Sequence, residues 1–147
     1  MSQPKSADHK TIQSVVEVVK YNRNVIDQKA DSELSVVETL LEERFTGGLE
    51  AIGTAKHVRL ERMDGSGTLI CYERIDGTLD GRKGSFLLDA SGFMDARAYI
   101  HGRWEIIPDT GTGVLERVRG YASFMAKRDE QAKSGWTAQT TLAYWFE

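Results

Sequence analysis

The chain has 147 residues, 19 Lys plus Arg against 22 Asp plus Glu, a formal net charge of −3 and a pI near 5.7. That length predicts one domain with one core, and that charge excludes the basic footprint of a nucleic-acid binder. No stretch of roughly 18 or more apolar residues is present, which excludes a membrane-spanning helix, and the single cysteine, Cys71, excludes an internal disulfide.

The opening MSQPKSADHK lacks the apolar core of a secretory signal, so a soluble protein of the reducing cytoplasm is expected, with Met1 to Lys10 a loosely held polar tail and residues 11–147 one domain. Fourteen glycines against two prolines then punctuate the chain into short runs rich in Val, Ile, Thr, Tyr and Phe, which is all-β patterning. Eight strands are predicted: Thr11 to Tyr21, Leu34 to Thr46, Ala51 to Arg62, Thr68 to Leu79, Ser85 to Met94, Arg97 to Ile107, Val114 to Lys127 and Trp136 to Phe146. The second run also fits an amphipathic helix, with a cap at Asp31 or Ser32 and apolar Val36, Val37, Leu40 and Leu41. Its place between two β runs, and its exit through Phe45-Thr46-Gly47-Gly48, favour strand. Eight antiparallel strands with one apolar face lose their edges by closing into a barrel, whose interior holds side chains or one small ligand. A sandwich has a similar signature.

With the turn between the fourth and fifth runs set at Gly81-Arg82, one face carries Ile75 opposite Leu88, Glu73 opposite Ala90 and Cys71 opposite Gly92. The other face puts Arg74 opposite Asp89, with Arg103 beside it. The first face is inside. The sixth run then turns Ala98, Ile100, Gly102, Trp104 and Ile106 inward, and the seventh turns Val118, Gly120, Ala122 and Phe124 inward. Glu73 is therefore an isolated carboxyl on an apolar face, where burial raises its pKa toward the range of a general acid. Small neighbours Ala90 and Gly102, with Cys71 and Gly92, predict a void beside it. Phe86, Leu88, Trp104, Phe124 and Leu142 are expected to wall that void as a hydrophobic substrate site, and Tyr144 offers a hydroxyl to Glu73 or to a ligand carbonyl. Packing alone, or a Glu73 that only fixes the barrel, are the plainer readings of the same residues.

No metal is expected, because no Cys, His or carboxylate cluster has ligand spacing and His101 points outward. Asp109-Thr110-Gly111-Thr112-Gly113 lacks the Lys and the following helix of a phosphate loop and reads as a hairpin turn.

The segments FTGGLEAIGT (Phe45 to Thr54), ERIDGTLDGRKGSF (Glu73 to Phe86), Ser91-Gly92, IIPDTGTGVL (Ile106 to Leu115) and TLAY (Thr141 to Tyr144) resemble a bacterial domain family of unassigned function. That family belongs with the allene-oxide-cyclase-like β-barrels, a group that includes allene oxide cyclase, dirigent proteins and spirotetronate-forming cyclases. The resemblance implies a barrel with an apolar lumen and a cofactor-independent cyclase or isomerase of natural-product type. The catalytic residues expected here, read from the inner face rather than from the resemblance, are Glu73 and Tyr144. The resemblance departs at Ala90, where that family commonly carries histidine. A non-catalytic, lipocalin-like carrier of a small hydrophobic molecule is the alternative. A homo-oligomer, dimer or trimer, is expected through outward Tyr21, Tyr72 or Trp145.

Overall fold

The structure, a computed structural model, describes residues 9–133 and 135–147. The first eight residues of the expected tail lie outside the described residues. Eight antiparallel strands close into a barrel in chain order: β1 (Lys10–Gln28), β2 (Leu34–Gly47), β3 (Leu49–Arg62), β4 (Gly67–Leu79), β5 (Arg82–Met94), β6 (Ile100–Ile106), β7 (Val118–Arg128) and β8 (Trp136–Phe146). The closing seam is β1 on β8, from Lys10 opposite Tyr144 to Glu17 opposite Thr137. Lys10 thus opens a strand, and the His9 ring stacks on Trp145 at 4.5 Å. No helix among the described residues is long and apolar enough to cross a membrane.

The disputed second run is strand. Val37, Thr39, Leu41 and Phe45 alternate inward and are buried, whereas Leu40 is exposed on the other side, so the apparent helical stripe is divided between the two faces. β1 runs seven residues past the expected Tyr21, with register shifts between Val18 and Lys20 and between Val25 and Asp27. β6 starts at Ile100 rather than Arg97. Asp95 Oδ1 accepts hydrogen bonds from the amides of Arg97 (2.9 Å) and Tyr99 (3.1 Å), and Ala98 has a φ of 67°, so these residues form the turn instead of the strand.

The turn joining β4 and β5 is Asp80-Gly81, not Gly81-Arg82. Both residues have positive φ, 49° and 80°, as a two-residue primed hairpin requires. Moving the turn by one residue slides the pairing by two, which keeps every side chain on its expected face and changes its partner. Glu73 therefore lies opposite Leu88, and Cys71 opposite Ala90. The departure at Ala90 accordingly sits beside the thiol, not the carboxyl. Outside, Arg74 pairs with Leu87 and Arg103 with Ser91, so neither expected partner of Asp89 is one.

The bore is divided by height. Its lower half is a packed core of Leu49, Ile75, Leu79, Phe86, Leu88, Ile106, Val118, Leu142, Tyr144 and their neighbours. The segment between β6 and β7 is a longer connection than the hairpin expected at Asp109 to Gly113, and it folds back to seal that end. Thr110 Oγ1 accepts from the Leu87 amide at 3.0 Å and Thr112 Oγ1 accepts from the Ser85 amide at 3.1 Å. A 3-10 turn, Gly113–Leu115, then drives buried Leu115 into the end of the core. β7 starts only after it, at Val118. Gly84 is required there, since a Cβ would meet the Thr112 carbonyl oxygen at 2.1 Å. The upper half stays open.

Candidate active site

A cavity of about 830 Å³ occupies the upper half of the bore, within the range that holds a drug-sized molecule. Phe45, Trp104 and Phe124 supply its apolar floor, and Leu41, Leu69, Cys71 and Ala90 its lower walls. Trp104 is fixed because its indole Nε1–H donates to Thr140 Oγ1 at 3.2 Å, and that hydroxyl donates on to the Ser123 carbonyl at 3.1 Å. Gly102 opens no void. A Cβ there would lie 2.5 Å from Phe124 Cζ, so the space left by the missing side chain is filled by the Phe124 ring.

Glu73 points into this bore and is 6% exposed. It is not isolated. Glu43 of β2 also lines the cavity, and the two carboxyls interact across β3. Gly53 makes that crossing possible. It lies opposite Glu43 on one side and next but one to Ala55, the partner of Glu73, on the other; a Cβ on it would stand 2.0 Å from Glu73 Oε2. The carboxyl is therefore laid over a bare Cα. Burial, the neighbouring Glu43 charge and the hydrogen bond to Glu43 hold the Glu73 pKa well above the ordinary 4.5, and burial raises Glu43 as well. Two carboxyls in one dry place resist ionising together, so the pair holds a proton to higher pH than a free glutamate does. Glu73 Oε2 is buried with no hydrogen-bond partner among the described residues.

Above the pair, β3 turns His57 and Arg59 into the cavity. Arg59 Nη2 donates to His57 Nδ1 at 3.3 Å, which makes Nδ1 the acceptor and leaves the ring proton on Nε2. Burial and the adjacent guanidinium press the His57 pKa down to about 3, so the ring is neutral. Burial and the carboxyls of Glu73 and Glu43 push the Cys71 thiol up, which keeps it protonated and unreactive.

Of the residues expected to form a site, Glu73, Cys71, Ala90, Trp104 and Phe124 meet around this cavity. Phe86, Leu88, Leu142 and Tyr144 face inward as expected but lie below it, in the packed half. Tyr144 does not reach Glu73. Its hydroxyl donates to Asp80 Oδ2 in the β4–β5 turn, and burial together with that carboxylate raises the phenol to about 12. The Tyr144→Phe variant is expected to lose about 1 kcal/mol of stability in urea unfolding while any ligand affinity of the bore stays unchanged. Glu43, His57 and Arg59 were not foreseen. The signal for Glu43 is its place between Leu41 and Phe45 at period two.

Residues 12–136 match the family described as a protein of unknown function, DUF3224, and the chain belongs to that family. It is similar to the crystal structure of a protein with unknown function from the same family, from Shewanella oneidensis MR-1, at 21% identity and a TM-score of 0.74, covering 95% of this chain and 98% of that one. That likeness shows the fold. No curated protein matches the chain.

Proposed function

We propose that the barrel is a cofactor-independent cyclase or isomerase that folds a small hydrophobic molecule in the upper bore and moves a proton on it through the Glu43–Glu73 pair. The observation that carries this reading is the buried Glu73 carboxyl, one oxygen unpartnered, sharing the cavity wall with Glu43. A pair holding one proton supplies an acid and a base at once. Glu73 gives its proton to a carbonyl oxygen of the bound molecule, and the Glu43 carboxylate takes one from the adjacent carbon. An enol forms, the pair again holds one proton, and the reverse transfer at another carbon completes an isomerisation or ring closure. For a pericyclic closure the floor of Phe45, Trp104 and Phe124 acts by shape, holding the reactive conformer.

The resemblance to allene-oxide-cyclase-like barrels supports the same reading. Free, buried Cys71 is in keeping with a reducing cytoplasm. A homo-oligomer is supported by an apolar outer surface on β3 to β5, where Leu60, Ile70, Tyr72 and Phe93 are exposed, Tyr72 at 70%. Trp145 is less suited to such a contact, being stacked under His9.

The test is proton exchange. With a panel of hydrophobic enolisable β,γ-unsaturated ketones in D2O, the protein is expected to catalyse deuterium uptake and double-bond migration, followed by NMR. Glu73→Gln and Glu43→Gln should each slow this by about 10²-fold or more. Binding of the ketones with no exchange in the unmodified protein would replace the enzyme by the carrier.

A further inference from the structure

We infer that the bore takes an organic anion: a molecule with an apolar body and a carboxylate head, the head held by Arg59 near the mouth and the body laid down toward Phe45 and Trp104. This rests on the reading of the bore as a ligand site and adds the class of ligand. Arg59 lacks a full set of partners. Its side chain lines the cavity, its Nε is buried, and that N–H has no hydrogen-bond partner among the described residues. One Nη is taken by neutral His57. No carboxylate among the described residues lies within ion-pairing distance of it. Glu61, the nearest by position on the same strand face, is held by Arg23, whose Nη2 reaches both of its carboxylate oxygens at 2.8 and 3.0 Å.

A largely buried guanidinium that feels Glu61 and Glu43 only at a distance, with no carboxylate in ion-pair contact, is costly, and guanidinium favours the two-oxygen geometry of a carboxylate. The rim agrees in sign. Lys20, Arg23, Arg128 and Lys133 stand around the same cavity, against Glu17 and Glu61, in a chain whose overall charge is negative. Such a mouth concentrates anions. The spacing also fits. Arg59 is four residues along β3 from Ala55, the partner of Glu73, which is about 13 Å of strand. That spacing is between Cα atoms, and the Arg59 side chain reaches back to His57, so a carboxylate seated on it lies on the mouth side of the Glu43–Glu73 pair with its apolar body running past the pair toward Phe45 and Trp104.

The experiment compares decanoate with decanol as displacers of Nile red, an uncharged apolar dye, from the full chain at neutral pH and moderate salt. Decanoate is expected to bind at least tenfold tighter than decanol. Arg59→Met, which keeps the apolar stem, should abolish that preference and leave decanol unchanged, and Arg59→Lys should retain part of it. Should the variants fail to fold, the unmodified protein still decides the matter: the Arg59 Nε–H resonance in 15N NMR is expected to shift with decanoate and not with decanol. Equal affinity for the two probes, or an Arg59 resonance indifferent to decanoate, would overturn the inference while leaving the bore a ligand site. Failure of both probes and of the dye to bind would remove the ligand site itself.

Discussion

Replacing Glu73 by Gln is expected to make the protein more stable at pH 8, by about 1–3 kcal/mol, and to have little effect near pH 4. The sign follows from the direction of the shift. In the unfolded chain Glu73 loses its proton near its ordinary value of 4.5, while in the folded protein it keeps it well above that value. Below pH 4.5 both states are protonated and the native state has its full stability. As pH rises from there toward the folded pKa, only the unfolded chain releases a proton, and stability falls. Gln keeps the size, has no proton to release, and its amide can donate to an ionised Glu43. His57 works in the opposite sense: its unfolded form takes up a proton below about 6.5, but its folded form does so only at about 3. The difference between variant and parent cancels that contribution. Thermal unfolding from pH 4 to pH 8 should thus show the two curves separating upward, by roughly 3–9 °C at the alkaline end. Parallel curves would mean that Glu73 titrates normally.

Gly53→Ala should destabilise the parent by about 1–3 kcal/mol, yet cost nothing, or add a few tenths, in a Glu73→Ala background. Gly53 does not have the positive φ that restricts other residues. Its requirement is space. The added methyl would stand 2.0 Å from Glu73 Oε2 and 3.0 Å from its Cδ, with Phe45 Cε1 at 3.1 Å. The carboxyl must then leave its seat and its partner Glu43. With Glu73 shortened to Ala the main obstacle is gone, and alanine's advantage over glycine in a strand is recovered. The double-mutant cycle should return a coupling of about 1–3 kcal/mol. Equal effects of Gly53→Ala in both backgrounds would show that the glycine answers to something other than the carboxyl pair.

Alternation carried the sequence reading where one side of a strand is apolar and the other wet. Leu69, Cys71, Glu73 and Ile75 share a face of β4, so the misfit acid among them was legible, and it stayed legible when the turn was misplaced because a two-residue slip preserves parity. Depth in the bore was not legible. Phe86, Leu88, Leu142 and Tyr144 have the same inward period as Trp104 and Phe124, and only the connection that carries Leu115 decides which half is filled. On β3 the rule itself inverts near the mouth, where His57 and Arg59 face in while Leu60 is exposed, so hydrophobicity gave no guide to its face. Glu43 was hidden for another reason. Val36, Val37, Leu40 and Leu41 satisfy a helical period as well as they satisfy a strand, and without the strand parity Glu43 has no face at all.

The proposed chemistry turns on a proton held between Glu43 and Glu73 inside the bore at neutral pH. Carbon-13 NMR titration of glutamate carboxyls, with Glu73→Gln and Glu43→Gln to assign them, measures this directly. The expected result is two carboxyl carbons whose midpoints lie above the ordinary glutamate value, one of them still protonated at pH 7, with the remaining midpoint falling when either partner is replaced. If every glutamate carboxyl has finished titrating by about pH 5, and neither substitution moves the other residue, the pair does not hold a proton and the proposed chemistry has no acid.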